Sequence, residues 1–274
     1  MIHKPSILFL LVNYFNEEEV FSFVVHQLHV DTNDFVEIVI VDNGSKTNLL
    51  SELENKSSKI TSIKAKTNLG YFGAANLGLT NYLDQHKEYP QAVVVCNTDM
   101  KLSVDFLAIL QRKLTKENFD ILGPSIHSSF LNYYQNPYIL SRIKTSKLKF
   151  LQFVSSNYFL YSLFTIYHVV KTKTSRSNSV QLTSTLNPYA IHGSFMIFNK
   201  TFFQKGGTIN YPSVLFGEEL FIAEQAFKLN LNMVYDPALQ VEHNEHATTG
   251  IFKSKETVAY LNQSYRYLLN TYFK

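Results

Sequence analysis

"VVVCNTDM", residues 93–100, opens as an apolar β-branched run and closes on Asn97, Thr98 and Asp99. A short valine run bounded by polar residues suits a strand buried on both faces, as in parallel sheets. Short β-rich runs also lie at 7–12, 36–41 and 60–64, and the valines belong to one at 91–96. Between them, 17–30 and 73–86 carry helical spacing. Strand alternating with helix predicts an α/β fold of parallel β-α-β units. Ligands of such sheets collect beyond the carboxyl ends of the strands, where the strand order switches. Asn13 follows the first run, Asp42 the second and Asp99 the fourth, and the third ends near Asn68. These polar groups are expected along one rim, with the strand as a rigid support for Asp99.

The 274 residues, 45% hydrophobic and 17% charged, suffice for one large α/β core, so 1–274 is read as a single domain with elaborations. A net charge of +3 with scattered basic residues gives no nucleic-acid footprint. Cys96 is the only cysteine, so neither a disulfide framework nor a zinc cluster fits, and a cytoplasmic location is expected. The apolar run at 7–12 is short and reads as a first strand rather than a leader.

From 127 to 186 the texture changes to a helical and loop insertion. Residues 150–170 carry no Asp, Glu, Lys or Arg, and Lys147, Lys149, Lys171, Lys173 and Arg176 flank them. Three readings stand: a helical insertion packed on the core or on a second subunit, an aromatic helix lying in a membrane interface, and a membrane span. Gln152, Ser155, Ser156, Asn157, Ser162, Thr165 and His168 interrupt the stretch and weigh against the span. Residues 171–179 read as a loop. The final stretch, 253–273, reads as a helix with a stripe of Val258, Leu261, Tyr265 and Leu268.

Asp99 by itself fits a turn or a helix cap, with Ser103 and Asp105 as rival caps. It also fits a hard cation bridging a diphosphate, which takes only one or two protein carboxylates. Asp42 in "IVIVDNGSK" fits a cap, or an acceptor for a nucleobase N–H or ribose hydroxyl. The glycines at 70, 73 and 78 lack a Gly-x-Gly start, so the dinucleotide fingerprint is absent; they admit a ligand or simply let a loop close and a helix pack. In "LFGEELFIAEQAFKL", Glu218 and Glu219 fall in the first turn of an amphipathic helix, where the dipole favours acids. Apolar neighbours would raise the pKa of a partly buried glutamate, which suits a general base. "MVYDPALQVEHNEH" supplies a strand over 233–235 and then His243, a structural histidine or a metal ligand.

The ordered set "VNYFNEEEV", "VDNGS", "NLGYFGAANLGL", "CNTD", "GPSI", "IHGSFMIFNKTFFQKGG", "FGEEL" and "VEHNEH" resembles family 2 glycosyltransferases of the GT-A fold, in particular a bacterial rhamnosyltransferase-like branch. The resemblance covers 7–126 and 188–250. It implies a Rossmann-like mixed, mostly parallel sheet flanked by helices. It also implies a nucleotide-sugar pocket shaped by Asn13, Asp42, Asn68 and Gly70, with Asp42 on the base. Asn97-Thr98-Asp99 stands at the family's Asp-x-Asp position, so Asp99, joined by His243, would hold Mg2+ or Mn2+ on the donor diphosphate. His192 and Gly193 would form a wall between donor and acceptor. Glu219 matches the catalytic base, where the family has a shorter aspartate, and Glu218 is the alternative base.

The implied function is inverting transfer of a sugar from a nucleotide diphosphate donor (dTDP-rhamnose first, a UDP-hexose second) to a hydroxyl of a saccharide acceptor. The acceptor is expected to be lipid-linked and to serve bacterial surface polysaccharide synthesis, with the protein peripheral at the inner membrane face. Two rivals are a sugar-phosphate nucleotidyltransferase and a non-catalytic sugar-nucleotide-binding protein. The first would want a basic glycine-rich loop after its first strand, where this chain has Glu17, Glu18 and Glu19. The second follows because fold alone does not prove activity.

Overall fold

A computed structural model describes residues 6–29, 33–44, 49–116, 118–130, 132–173, 181–244 and 254–273. The amino-terminal half alternates as expected. Strand β1 (Ile7–Asn13) leads to helix α1 (Glu17–Phe23), which continues as a π-helical stretch over Val24–Leu28. Then come β2 (Val36–Asp42), α2 (Leu49–Glu54), β3 (Ile60–Lys64), α3 (Tyr71–His86) and β4 (Ala92–Cys96). The helix expected at 17–30 thus closes at His29, whose left-handed φ of 44° stops it. Helix α3 begins earlier than the periodicity suggests because Gly70 turns the chain with φ 74°. A Cβ at Gly70 would lie 2.2 Å from the Val214 carbonyl oxygen, so only glycine fits there.

Beyond β4 the chain forms β5 (Met100–Leu102), α4 (Phe106–Lys116), β6 (Ile121–Ser128) and β7 (Tyr133–Tyr134). The insertion follows as α5 (Thr145–Ser155) and α6 (Tyr158–Lys173). Strand β8 (Phe195–Asn199), α7 (Lys200–Gln204), α8 (Glu218–Leu229), β9 (Met233–His243) and α9 (Lys255–Tyr272) complete it. The sheet order is β3-β2-β1-β4-β8-β6-β9-β5, with β7 paired to β6. Strands β3, β2, β1 and β4 are all parallel, whereas β8 lies antiparallel to both β4 and β6. This is the mixed α/β sheet of the GT-A type. Connections run outward from β1 on both sides, and that reversal opens a crevice at the carboxyl ends of β1, β2 and β4.

Both faces of the sheet are covered. Phe9, Ile38, Phe106 and Phe195 pack on one side with α1 and α4; Leu10, Val39, Phe72, Phe198 and Phe221 pack on the other with α3 and α8. Strand β1 is therefore apolar throughout and buried on both faces, the pattern that marks a central parallel strand. Gly78 has the packing role: a Cβ there would touch Leu10, Val39 and Val41 at 3.1–3.2 Å, so its absence lets α3 lie close on the sheet.

Three expectations need correction. Strand β9 does not stop at Tyr235 but runs to His243; the register against β6 shifts between Pro124 and Ser125, which accommodates Pro237 in a bulge. Residues 150–170 are not one helix. Ser156 ends α5, its hydroxyl donating to the Phe153 carbonyl, and Asn157 Oδ1 accepts the Phe159 N–H at 2.8 Å to start α6. Among the described residues no helix is long and apolar enough to cross a membrane. Residues 171–173 finish α6 rather than beginning a loop, while Arg176 and the rest of that loop, and Lys253, lie outside the described residues.

The inner face of this hairpin packs on α9: Leu148 and Val154 are buried, and Asn262 donates to the Gln152 carbonyl at 2.7 Å. Helix α9 starts where Ser254 caps the Thr257 N–H, and Val258, Leu261 and Leu268 form its buried stripe.

Candidate functional site

A cavity of about 990 Å³ opens at the carboxyl ends of β1 and β4. Its walls include Asn68, Gly70, Asn97, Asp99, His192, Gly193, Glu218, Glu219 and His243, so the structure brings these sequence-derived candidates together. Asn13 and Asp42 are not in the wall. They are register partners at the ends of β1 and β2, both buried, and the Asn13 amide donates to Asp42 Oδ1 at 3.2 Å. Asp42 also accepts the Gly44 N–H at 3.3 Å and faces Lys64 at 4.0 Å, so its carboxylate serves the turn after β2.

The wall at that end is Asn43, which sequence reasoning passed over. Its amide donates to Asn68 Oδ1 (2.9 Å) and to the Gly70 carbonyl (3.3 Å), and its Oδ1 accepts the Leu69 N–H (2.8 Å). One buried asparagine thereby holds the loop before α3 against the end of β2. Asn16 acts similarly, donating to Thr98 Oγ1 at 2.8 Å and joining the loop after β1 to the Asn97–Asp99 turn. Both sit inside quoted motifs, but nothing local shows partners 25 or 82 residues away.

Strand β5 explains how Asp99 meets a residue from the far end of the chain. Met100 pairs with His243 in the antiparallel β5/β9 ladder, so the preceding Asp99 lies beside the histidine. His243 Nε2 is 3.2 Å from Asp99 Oδ1, and its Nδ1 is 2.8 Å from Gln135 Oε1. Because Gln135 Oε1 can only accept, Nδ1 carries a proton in this contact. Asp99 Oδ1 is itself buried and accepts no hydrogen bond among the described residues. A carboxylate oxygen and an imidazole nitrogen placed this close together are a donor pair that suits a divalent cation. No group of three or more acidic, histidine or cysteine ligands occurs among the described residues, so the pair would leave room for diphosphate oxygens and water.

Gly217 adopts φ 91° and delivers Glu218 and Glu219, also in the cavity wall, into the first turn of α8. Glu218 is buried; burial first, and then the charge on Glu219, push its carboxyl up to about 8. Burial also raises Glu219, but its Oε1 accepts the Gly193 N–H at 3.3 Å, which favours its ionised form. The more buried Glu218 is therefore the member that retains a proton near neutrality. Gly193 leaves room for this contact: a Cβ there would lie 2.8 Å from Glu219 Oε1.

His192 adjoins both groups, since the next residue, Gly193, meets Glu219. Its backbone N–H donates to Asn136 Oδ1 at 2.7 Å, its Nδ1 meets Ser194, and its ring stands 6.5 Å from that of His243. Burial, and then His243, lower its pKa to about 4, so it is a neutral wall at pH 7. Asn136 and Gln135 come from the start of the insertion and were not anticipated; "YQNPY" offers only polar residues among aromatics as a signal. Tyr71 was also missed: its hydroxyl is buried in the wall with no hydrogen-bond partner among the described residues. Cys96 is buried, which pushes its thiol up and removes it as a nucleophile.

The sequence pattern of glycosyl transferase family 2 matches residues 10–173, which takes in Asn13 through Asp99 but not His192, Gly193, Glu218, Glu219 or His243. Over 259 residues the chain is 23% identical to a low-salt glycan biosynthesis hexosyltransferase of Haloferax volcanii, covering 94% of this chain and 73% of that one. Among solved structures, GalNAc-T7 with UDP, GalNAc and Mn2+ superposes with a TM-score of 0.58 at 14% identity over 90% of this chain. TarS of S. aureus gives 0.51 at 13% over 87%. This chain spans 45% and 60% of the length of those two structures, and at such identities the likeness is one of fold.

Proposed function

The chain belongs to glycosyl transferase family 2, and from that premise we propose that it moves a sugar from a nucleoside diphosphate donor to an acceptor hydroxyl with inversion, in a rhamnosyltransferase-like branch. One arrangement carries the reading: the Asp99–His243 pair and the Glu218–Glu219 pair line one cavity. In-line displacement needs a base on one side of the anomeric carbon and charge stabilisation on the other, and we assign the first role to Glu219 and the second to the Asp99–His243 pair.

Glu219, ionised and oriented by the Gly193 N–H, takes the acceptor hydroxyl proton as that oxygen bonds to the anomeric carbon. The bond from that carbon to the diphosphate oxygen breaks, and the nucleoside diphosphate leaves with the electron pair. Glu219 then returns its proton to water. Asp99 and His243 would hold Mg2+ or Mn2+, which when bound supplies positive charge to the donor diphosphate. His192 stays neutral and keeps the donor side apart from the acceptor side. Asn43, Asn68 and Gly70 line the part of the cavity assigned to the nucleoside, with Asp42 behind them. For the donor we take dTDP-rhamnose first and a UDP-hexose second, and for the acceptor a lipid-linked saccharide of surface polysaccharide synthesis.

A panel of nucleotide-sugars with Mg2+ or Mn2+, read by thermal stabilisation and then by donor turnover, identifies the donor. Glu219→Gln should abolish turnover and leave nucleotide binding nearly intact. Turnover at the original rate in that variant would refute the base assignment.

A further inference from the structure

The outer face of the α5/α6 hairpin is apolar and exposed. Phe159, Leu163, Ile166 and Tyr167 recur at the i, i+4, i+7, i+8 spacing of one helical face, and Phe150 and Phe153 continue it on α5. Phe153 is 62% exposed and Phe159 67%, although the other face of the same hairpin is packed on α9. Phe150 and Phe164 meet edge to face with ring centroids 5.9 Å apart, which joins the two helices.

Charge distinguishes the partners such a face could take. Between Asp120 and Glu218 the sequence has no acidic residue but nine Lys and Arg. Arg142 is committed to Glu224 and Lys205 to Asp120, while Lys144, Lys147 and Lys149 on the hairpin are exposed. A second copy of the same face would bring lysines against lysines. An aromatic and aliphatic stripe with exposed lysines beside it matches the boundary between anionic headgroups and acyl chains. The hairpin is too short to cross and has the form of an element that lies in the interface plane.

We propose that the α5/α6 hairpin docks this protein on an anionic bilayer, its apolar face entering the headgroup region and its lysines meeting lipid phosphates. Helix α9 links this surface to the cavity, since it packs on the hairpin and lends Glu256, Thr257 and Tyr260 to the cavity wall. A lipid-borne acceptor lying in the same bilayer would therefore approach along α9; that consequence alone rests on the glycosyltransferase reading.

The test is flotation of the full chain with vesicles of phosphatidylcholine, or of phosphatidylcholine with about 30 mol % phosphatidylglycerol, without donor or acceptor. Binding is expected only with the anionic vesicles and should weaken at high salt. The double variant Lys147→Ala/Lys149→Ala should lower partitioning about 25-fold, roughly fivefold per lysine. Phe153→Ser/Phe159→Ser should abolish it, and both variants, altered only at exposed positions, should keep the original melting temperature and donor turnover in solution. Equal binding to neutral vesicles, no binding to either, or variants that bind like the parent would overturn the proposal. So would a dimer that Phe159→Ser dissolves in a protein that ignores vesicles. Failure here with Glu219-dependent turnover intact would leave the active-site reading standing.

Discussion

Replacing Glu218 by Gln tests the electrostatics of the carboxylate pair directly. Gln matches the shape of the protonated acid but cannot ionise. In the native state burial and Glu219 raise Glu218 from the ordinary 4.5 to about 8. The folded protein therefore holds this proton more tightly than the unfolded chain does. The contribution to stability is full below pH 4.5 and is lost as pH rises through about 8. At about 1.4 kcal/mol per pH unit the complete loss is at most roughly 5 kcal/mol, and between about pH 5.5 and 7.5 it is roughly 3 kcal/mol. Glu218→Gln removes this slope, and titrating groups that do not interact with Glu218 cancel in the difference between the two proteins, leaving only the partner Glu219 to respond to the lost charge. Urea unfolding followed by circular dichroism gives the difference at each pH. With a slope near 3 kcal/mol per molar urea, the midpoint of the variant should gain about 1 M on the parent between those two pH values. The same gap at both values, or a gap that narrows as pH rises, would refute the assignment of the retained proton to Glu218.

Three further outcomes follow from the geometry. Gly193→Ala puts a Cβ 2.8 Å from Glu219 Oε1 and should lower kcat at least tenfold with a much smaller change in nucleotide affinity, read by steady-state kinetics. Gln135→Leu removes the acceptor at His243 Nδ1 and should weaken Mn2+ affinity about 10- to 100-fold, measured by titrating donor binding with the metal. Asn43→Ala leaves the Leu69 N–H without its acceptor and removes the amide donor from Asn68 Oδ1 and the Gly70 carbonyl, and should destabilise the fold by about 1–3 kcal/mol, seen in the urea midpoint at constant slope.

Strands β1, β2 and β4 were legible because each is a largely apolar run that leads into a polar residue, and parallel pairing aligns those ends. Asn13 and Asp42 are level for that reason. What position along a strand does not disclose is which way a side chain turns, so both residues lie behind the cavity wall while Asn43 forms it. His243 was legible as a residue type, but its strand was read too short; it continues past Pro237, which the bulge against β6 absorbs. The break at Ser156–Asn157 had a local signal, a capping asparagine after two serines, that the apolar length of 150–170 masked. Gln135 and Asn136 were not legible because each acts on a histidine far along the chain.

Strand β5 has only three residues, and its ladder with β9 fixes where the Asn97–Asp99 turn lies against the last strand of the sheet. Successive residues of a strand point to opposite sides, so a slip of one position would present a different side chain to His243. The spacing between Cys96 and Met100 therefore acts as a length gauge. Inserting or deleting a single residue there would separate the two prospective ligands even if every side chain of the site were kept.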